Sequence, residues 1–181
     1  MIFTADKQLK DIIYIQPTIH GDDRGYFFES YHIDRFKHAG IHHSFVQVNQ
    51  SFSQNGILRG LHFQKAPHEQ AKLVKVVDGC IFDVAVDIRQ HSPTFGQWTG
   101  YTLSANEHDM LFIPEGFAHG FYVVSPTATI MYHCSAVYAP SHEVSIRYDD
   151  PDIGIKWPYT STPILSKKDQ NGQFLRDYKE S

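Results

Sequence analysis

The chain has 181 residues, enough to bury a sizeable core in one domain. Its 20 acidic residues outnumber 16 lysines and arginines, for a formal charge of −4; this excludes a surface built for nucleic acid or an anionic membrane, but not a few cations gathered in one cleft. No apolar run approaches the ~18 residues of a membrane span, and the opening "MIFTADKQLK" does not read as a signal peptide, so a cytoplasmic protein is expected.

In chain order, "GDDRG" (21–25) is a turn, and "SYHIDRFKHAG" (30–40) predicts one short helix with Gly40 as its stop. "QVNQSFS" sets Gln47, Asn49 and Ser51 on one strand face, a row suited to sugar hydroxyls or a base edge, or else to a solvated outer face. After the turn "SQNG" comes "GILRGLHFQ" (56–64), in which Arg59 and His62 have opposite strand parity. Either Gly60 hosts a bulge or one of the two is structural. "VDG" reads as a further turn before "IFDVAVDI", with Phe82, Val84, Val86 and Ile88 on one face and Asp83, Ala85 and Asp87 on the other, the period of a half-buried strand.

The turns "RQHSPTFG", "SANEHD" and "PEG" lead to "IPEGFAHGF" (113–121), which carries His119. "SPTA" is read as another turn before "IMYHCSAVY" (130–138), predicted as a strand with Ile130, Tyr132, Cys134, Ala136 and Tyr138 on one face. Were that strand straight, its two tyrosines would lie roughly 20 Å apart. "SKKDQNGQFLRDY" predicts a turn or two of helix. Turn clusters spaced roughly 10–15 residues apart point to one all-β domain over 1–181, a sandwich or barrel of antiparallel strands. Both cysteines, Cys80 and Cys134, fall in apolar runs and are expected as buried, reduced thiols.

His62 and His119 are too few for a tight metal site. Position 64, where a His-x-His pair would continue, is Gln64, and the next acidic residue is Glu69. What singles the histidines out is company: Arg59, Lys72, Tyr132 and Tyr138 also lie in or beside apolar segments, where a polar group needs a partner or a ligand. Arg24, Arg59 and Lys72 offer donors suited to phosphate oxygens.

"DDRGYFFES", "GILRGLHFQ", "KLVKVVDG", "DVAVDIRQHSPTFGQW", "IPEGFAHGF", "YDDPDIGIKWP" and "LSKKD" together resemble the dTDP-4-dehydrorhamnose 3,5-epimerase family of cupin-like enzymes, in order and over nearly the whole chain. The resemblance implies a double-stranded β-helix (jelly roll) with a few short peripheral helices, a homodimer, and no metal or organic cofactor. It implies His62 as general base, paired with the Asp169 carboxylate, and Tyr132 as general acid. It implies a substrate site of Arg24, Phe27, Glu29, Gln47, Asn49, Arg59, Lys72, His119, Glu143 and Lys168, with Tyr138 stacking on the nucleotide base. The block "DDRGYFFES", a charged and aromatic run where a short strand could pair across chains, is expected to complete the partner's site.

The implied substrate is a dTDP-linked 4-keto-6-deoxyhexose. Its C3 and C5 protons flank the C4 ketone, so removing either gives an enolate, for which Lys72 is the candidate stabiliser. The chain departs from the family's pattern at His133 and Val137, beside the two tyrosines. Epimerisation at one centre, or action on another 4-keto nucleotide sugar, is the nearest alternative. A metal-dependent cupin oxygenase and a non-catalytic sugar-binding jelly roll are the more distant ones.

Overall fold

The computed structural model describes residues 1–159 and 161–179. Strands β1 (Ile2–Ala5) and β2 (Ile13–Gln16) precede a separate hairpin of β3 (Ile19–Asp22) and β4 (Gly25–Phe28), and α1 (Ile33–His38) follows. Then come β5 (Gln47–Gln54), β6 (Leu58–Gln64), β7 (Lys72–Asp87), β8 (Trp98–Ser104), β9 (Met110–Ile113), β10 (Phe117–Cys134) and β11 (Glu143–Ser145), with α2 (Lys167–Gln170) near the end.

β7 and β10, of 16 and 18 residues, pair antiparallel with each other, and each belongs to two layers. In the first layer the start of β7 pairs with β9, which pairs with β2 and through it β1, while the end of β10 pairs with β5. In the second, the end of β7 pairs with β8 and the start of β10 with β6, which carries β11. This is a double-stranded β-helix, as expected.

The layers share a core of Val74, Val76, Leu103, Leu111, Phe121 and Ile130, among others, where each fully buried aliphatic side chain contributes about 1.5–3 kcal/mol. A second cluster covers the outside of the β8–β6 layer with the C-terminal segment, through Ile153, Trp157 and Leu175 against Val84 and Val86. A third packs Phe36 of α1 on Ile15, Leu73 and Phe112.

Three expectations are corrected by this architecture. "VDG" and "SPTA" are not loops: they lie inside β7 and β10, at the corners where those strands change layer and their register shifts. Gly79 makes the corner possible, with φ +78 and so close an approach to the neighbouring strand that a Cβ would sit 2.0 Å from the Thr127 carbonyl. "IFDVAVDI" is buried on both faces rather than one, because its second face is the floor of the inter-layer space, and Asp83 and Asp87 are both fully buried. The strand through Tyr132 stops at Cys134, leaving Ala136 and Tyr138 outside any strand.

The predicted helix forms over the middle of 30–40. The His32 side chain accepts from the Asp34 N–H at its start, and Gly40, with φ +87, ends it. Cys80 and Cys134 are free thiols, Cys134 buried and Cys80 half-buried. No helix is long and apolar enough to cross a membrane, and among the described residues no group of three or more metal-ligating side chains forms.

Candidate active site

A cavity of about 640 Å³ opens between the layers. β5 lines it with Gln47, Asn49 and Ser51, so the polar row faces inward rather than to solvent. β6 contributes Arg59 and His62, β7 contributes Lys72, and β10 contributes His119 and Tyr132. Glu143 of β11, Tyr138, and Lys168 and Asp169 of α2 close one side.

The parity conflict between Arg59 and His62 is resolved by the bulge at Gly60. In the β6–β10 pairing His62 faces His119 and Arg59 faces Phe121, so β6 holds one residue more than β10 over that step. Gly60 has φ +130, and a Cβ there would meet the Gly120 Cα at 2.5 Å. Only glycine allows both side chains to reach the same cavity.

His62 and Asp169 form a tight pair, Nε2 to Oδ1 at 2.5 Å, across 107 residues of sequence. Asp169 is only 3% exposed. Its second oxygen accepts from Ser166 Oγ at 2.7 Å, and Ser166 in turn accepts the Asp169 N–H as the cap of α2. Burial pushes the Asp169 carboxyl up, but the bonds from His62 and Ser166 outweigh it and hold it below its ordinary value. Burial lowers the His62 imidazole below its usual value, partly offset by its hydrogen bond to the Asp169 carboxylate. With Nε2 turned to the carboxylate, Nδ1 is the nitrogen left for a ligand.

A parallel arrangement stands beside it. His119 Nε2 lies 2.7 Å from Oδ1 of Asp83, a carboxylate with no exposure whose other oxygen has no hydrogen-bond partner among the described residues. Sequence reasoning missed Asp83, because the alternation of "IFDVAVDI" assigned it to an outer face. It also passed over Ser166. An aspartate directly before a core valine, within a run of apolar residues, was the available signal.

The Lys72 ammonium forms no hydrogen bond or ion pair among the described residues, and burial lowers its pKa. Burial raises the Tyr132 phenol, so it stays protonated at neutral pH. Arg59 Nε donates to Ser53 Oγ at 3.0 Å. Glu143 ties the far side together, accepting from Tyr138 Oη at 2.7 Å and Lys168 Nζ at 2.8 Å. The chain turns after Cys134, so Tyr138 lines the same cavity as Tyr132 and the straight-strand separation does not apply.

Three of the expected residues do not reach the cavity of their own chain. Arg24 pairs with Asp22 in the β3–β4 turn, Phe27 is 70% exposed on that hairpin, and Glu29 pairs with Arg35. The physical reason is that among the described residues β3 and β4 form ladder bonds only with each other, and the hairpin packs through Tyr26 and Phe28 on His108 and Lys75 rather than over the cavity.

The arrangement is suited to moving protons: a neutral imidazole backed by a carboxylate and a protonated phenol, on strands of different layers, face one space that also holds an untied ammonium.

Over residues 6–177 the sequence matches the dTDP-4-dehydrorhamnose 3,5-epimerase family. The dTDP-4-dehydrorhamnose 3,5-epimerase of Salmonella typhimurium is 48% identical over 176 residues, covering 97% of this chain and 96% of that protein. The structure is similar to that of the Legionella pneumophila dTDP-6-deoxy-D-glucose-3,5-epimerase in complex with dTDP-4-keto-L-rhamnose, with a TM-score of 0.93 and 46% identity over 97% of this chain and 93% of that one. It is also similar to the Bacillus anthracis dTDP-4-dehydrorhamnose 3,5-epimerase with TDP and pyrophosphate bound, with a TM-score of 0.91 and 44% identity over 96% and 99% of the two chains.

Proposed function

The chain belongs to the dTDP-4-dehydrorhamnose 3,5-epimerase family, and we propose that its one jelly-roll domain inverts C3 and C5 of dTDP-4-dehydro-6-deoxy-D-glucose, giving dTDP-4-dehydro-L-rhamnose, by a base on one layer and an acid on the other. It is an isomerase. The observation that carries the mechanism is that His62 and Tyr132 enter one cavity from strands of opposite layers, with Asp169 on the far nitrogen of His62.

His62 Nδ1 removes the proton alpha to the ketone, and the electron pair passes to O4 as an enolate. Asp169 holds the imidazole in one tautomer and stabilises the imidazolium that forms. Lys72, which no carboxylate among the described residues ties, faces the developing charge on O4. Tyr132 returns a proton to carbon on the opposite face. The Gln47–Asn49–Ser51 row meets sugar hydroxyls, Arg59 the diphosphate, and Tyr138 the base. Incubation with dTDP-4-keto-6-deoxyglucose in D2O tests this reading: deuterium at both C3 and C5 supports it, deuterium at one alone supports single-centre epimerisation, and none overturns it.

The pH dependence follows from His62. Because burial holds its pKa below about 6.5, the neutral base persists under that pH, and the acid limb of kcat/KM falls below 6.5. Asp169→Asn removes the carboxylate bond and charge, both of which raise His62. The limb then moves further toward acid, and the rate falls by up to roughly 10⁴-fold, the scale seen when a catalytic histidine loses its carboxylate partner. Profiles of kcat/KM for the two proteins check this; an unmoved limb refutes the pairing.

The partner of this chain is a second copy. The outer face of β5 exposes Val48 and Phe52, its second edge is unpaired among the described residues, and the β3–β4 hairpin exposes Tyr26 and Phe27. In the homodimer, Arg24, Phe27 and Glu29 of one protomer complete the neighbour's cavity, adding a cation near the diphosphate. Sedimentation at assay dilution is expected to show a dimer, and Arg24→Ala to raise KM; a fully active monomer overturns the arrangement. The free thiols Cys80 and Cys134 fit a cytoplasmic setting.

A further inference from the structure

Gln64 closes the "GLHFQ" stretch yet takes no part in the chemistry: it is 5% exposed and does not line the cavity. We propose that Gln64 is the positioning residue for Tyr138 and thereby sets the affinity for the nucleotide half of the substrate.

Tyr138 lies in the stretch 135–139, which belongs to no strand or helix. The backbone groups there lack a ladder and must find other partners. Gln64 supplies them on both sides of the tyrosine: its Oε1 accepts the Ala139 N–H at 2.7 Å, and its Nε2 donates to the Val137 carbonyl at 3.3 Å. The second Nε2 proton goes to the His68 carbonyl at 2.6 Å, so both Nε2 protons and one lone pair of Oε1 are engaged. Two carbonyls at one end and an N–H at the other admit one orientation of the amide only. Gln47 adds a bond to the Tyr138 N–H itself at 2.8 Å.

The Tyr138 ring is half exposed, so packing does little to hold it. Its placement depends on the backbone beneath it and on one phenol bond to Glu143. Because Gln64 sits two residues after His62 on β6, a single rigid strand carries the base and anchors the stacking platform. Nucleotide and sugar are thereby held in register.

The inference rests on the assignment of Tyr138 to the nucleotide end, and the test separates the two. Kd for dTDP, KM, kcat and thermal unfolding are measured for Gln64→Ala, Gln64→Met, Tyr138→Ala and the Gln64→Ala/Tyr138→Ala double variant. Gln64→Met fills the same space without the amide. Both Gln64 variants are expected to weaken dTDP about tenfold, with the loss in KM rather than kcat. The double variant is expected to bind no more weakly than Tyr138→Ala alone, since the clamp acts through the tyrosine. Folded Gln64 variants that melt earlier yet bind dTDP as wild type overturn the clamp, as do losses that add in the double variant. Wild-type affinity in Tyr138→Ala overturns the assignment of Tyr138 and the clamp with it; a weak Tyr138→Ala beside a wild-type-like Gln64→Met removes the clamp alone.

Discussion

Replacing His62 with alanine lowers turnover by roughly 10²–10⁴-fold, the range a well-placed general base contributes, while affinity for dTDP stays near wild type. The asymmetry follows from location. His62 is paired with Asp169, whereas Arg59 and Tyr138, the residues proposed for diphosphate and base, are held by Ser53 and Glu143 independently of it. Removing the ring leaves Asp169 buried with Ser166 as its remaining partner, so some stability is lost as well. Turnover, dTDP calorimetry and washout of the C3 and C5 protons in D2O are the measurements. Near-normal washout in the variant removes His62 from the role of base.

Tyr132→Phe separates the two halves of the reaction. The phenol sits on the end of β10 paired with β5, in the layer opposite His62, and burial keeps it protonated. Without its hydroxyl, His62 still takes a proton and can return one to the same face, so exchange with D2O continues while inversion falls by about 10²-fold or more. Product stereochemistry read beside deuterium content decides the matter. Inversion of both centres at the wild-type rate eliminates Tyr132 as the donor.

Much of this was legible in the chain itself. The polar row of β5 and the two histidines line the cavity, as short-range pattern allowed, while Lys168 and Asp169 of "LSKKD" line it too but were singled out by the family resemblance. What escaped was set by contacts remote in sequence. Asp83 faces the interior only because a second layer lies over β7, a fact that alternation along one strand does not contain. Tyr138 leaves the strand because β10 ends at Cys134, where side-chain amides replace the ladder. The corners at Gly79 and at Ser125–Ala128 use the same residue types as surface turns, and only their pairing distinguishes a bend within a strand from a loop. Arg24, Phe27 and Glu29 were expected at the site but lie away from the cavity of their own chain, on or just after a hairpin whose strands pair only with each other among the described residues.

The continuity of β7 and β10 through both layers bears on how one pair of groups can serve two carbons. Two separate sheets could swing like jaws; here each long strand is spliced into both, and parting the layers would tear its own hydrogen bonds. His62 on β6 and Tyr132 on β10, the proposed proton acceptor and donor, therefore keep a set spacing, like the jaws of a fixed gauge. On the proposed mechanism, with the tools stationary, presenting C3 and then C5 to them would fall to the workpiece: the hexose itself would turn or pucker between strokes, tethered at its nucleotide end.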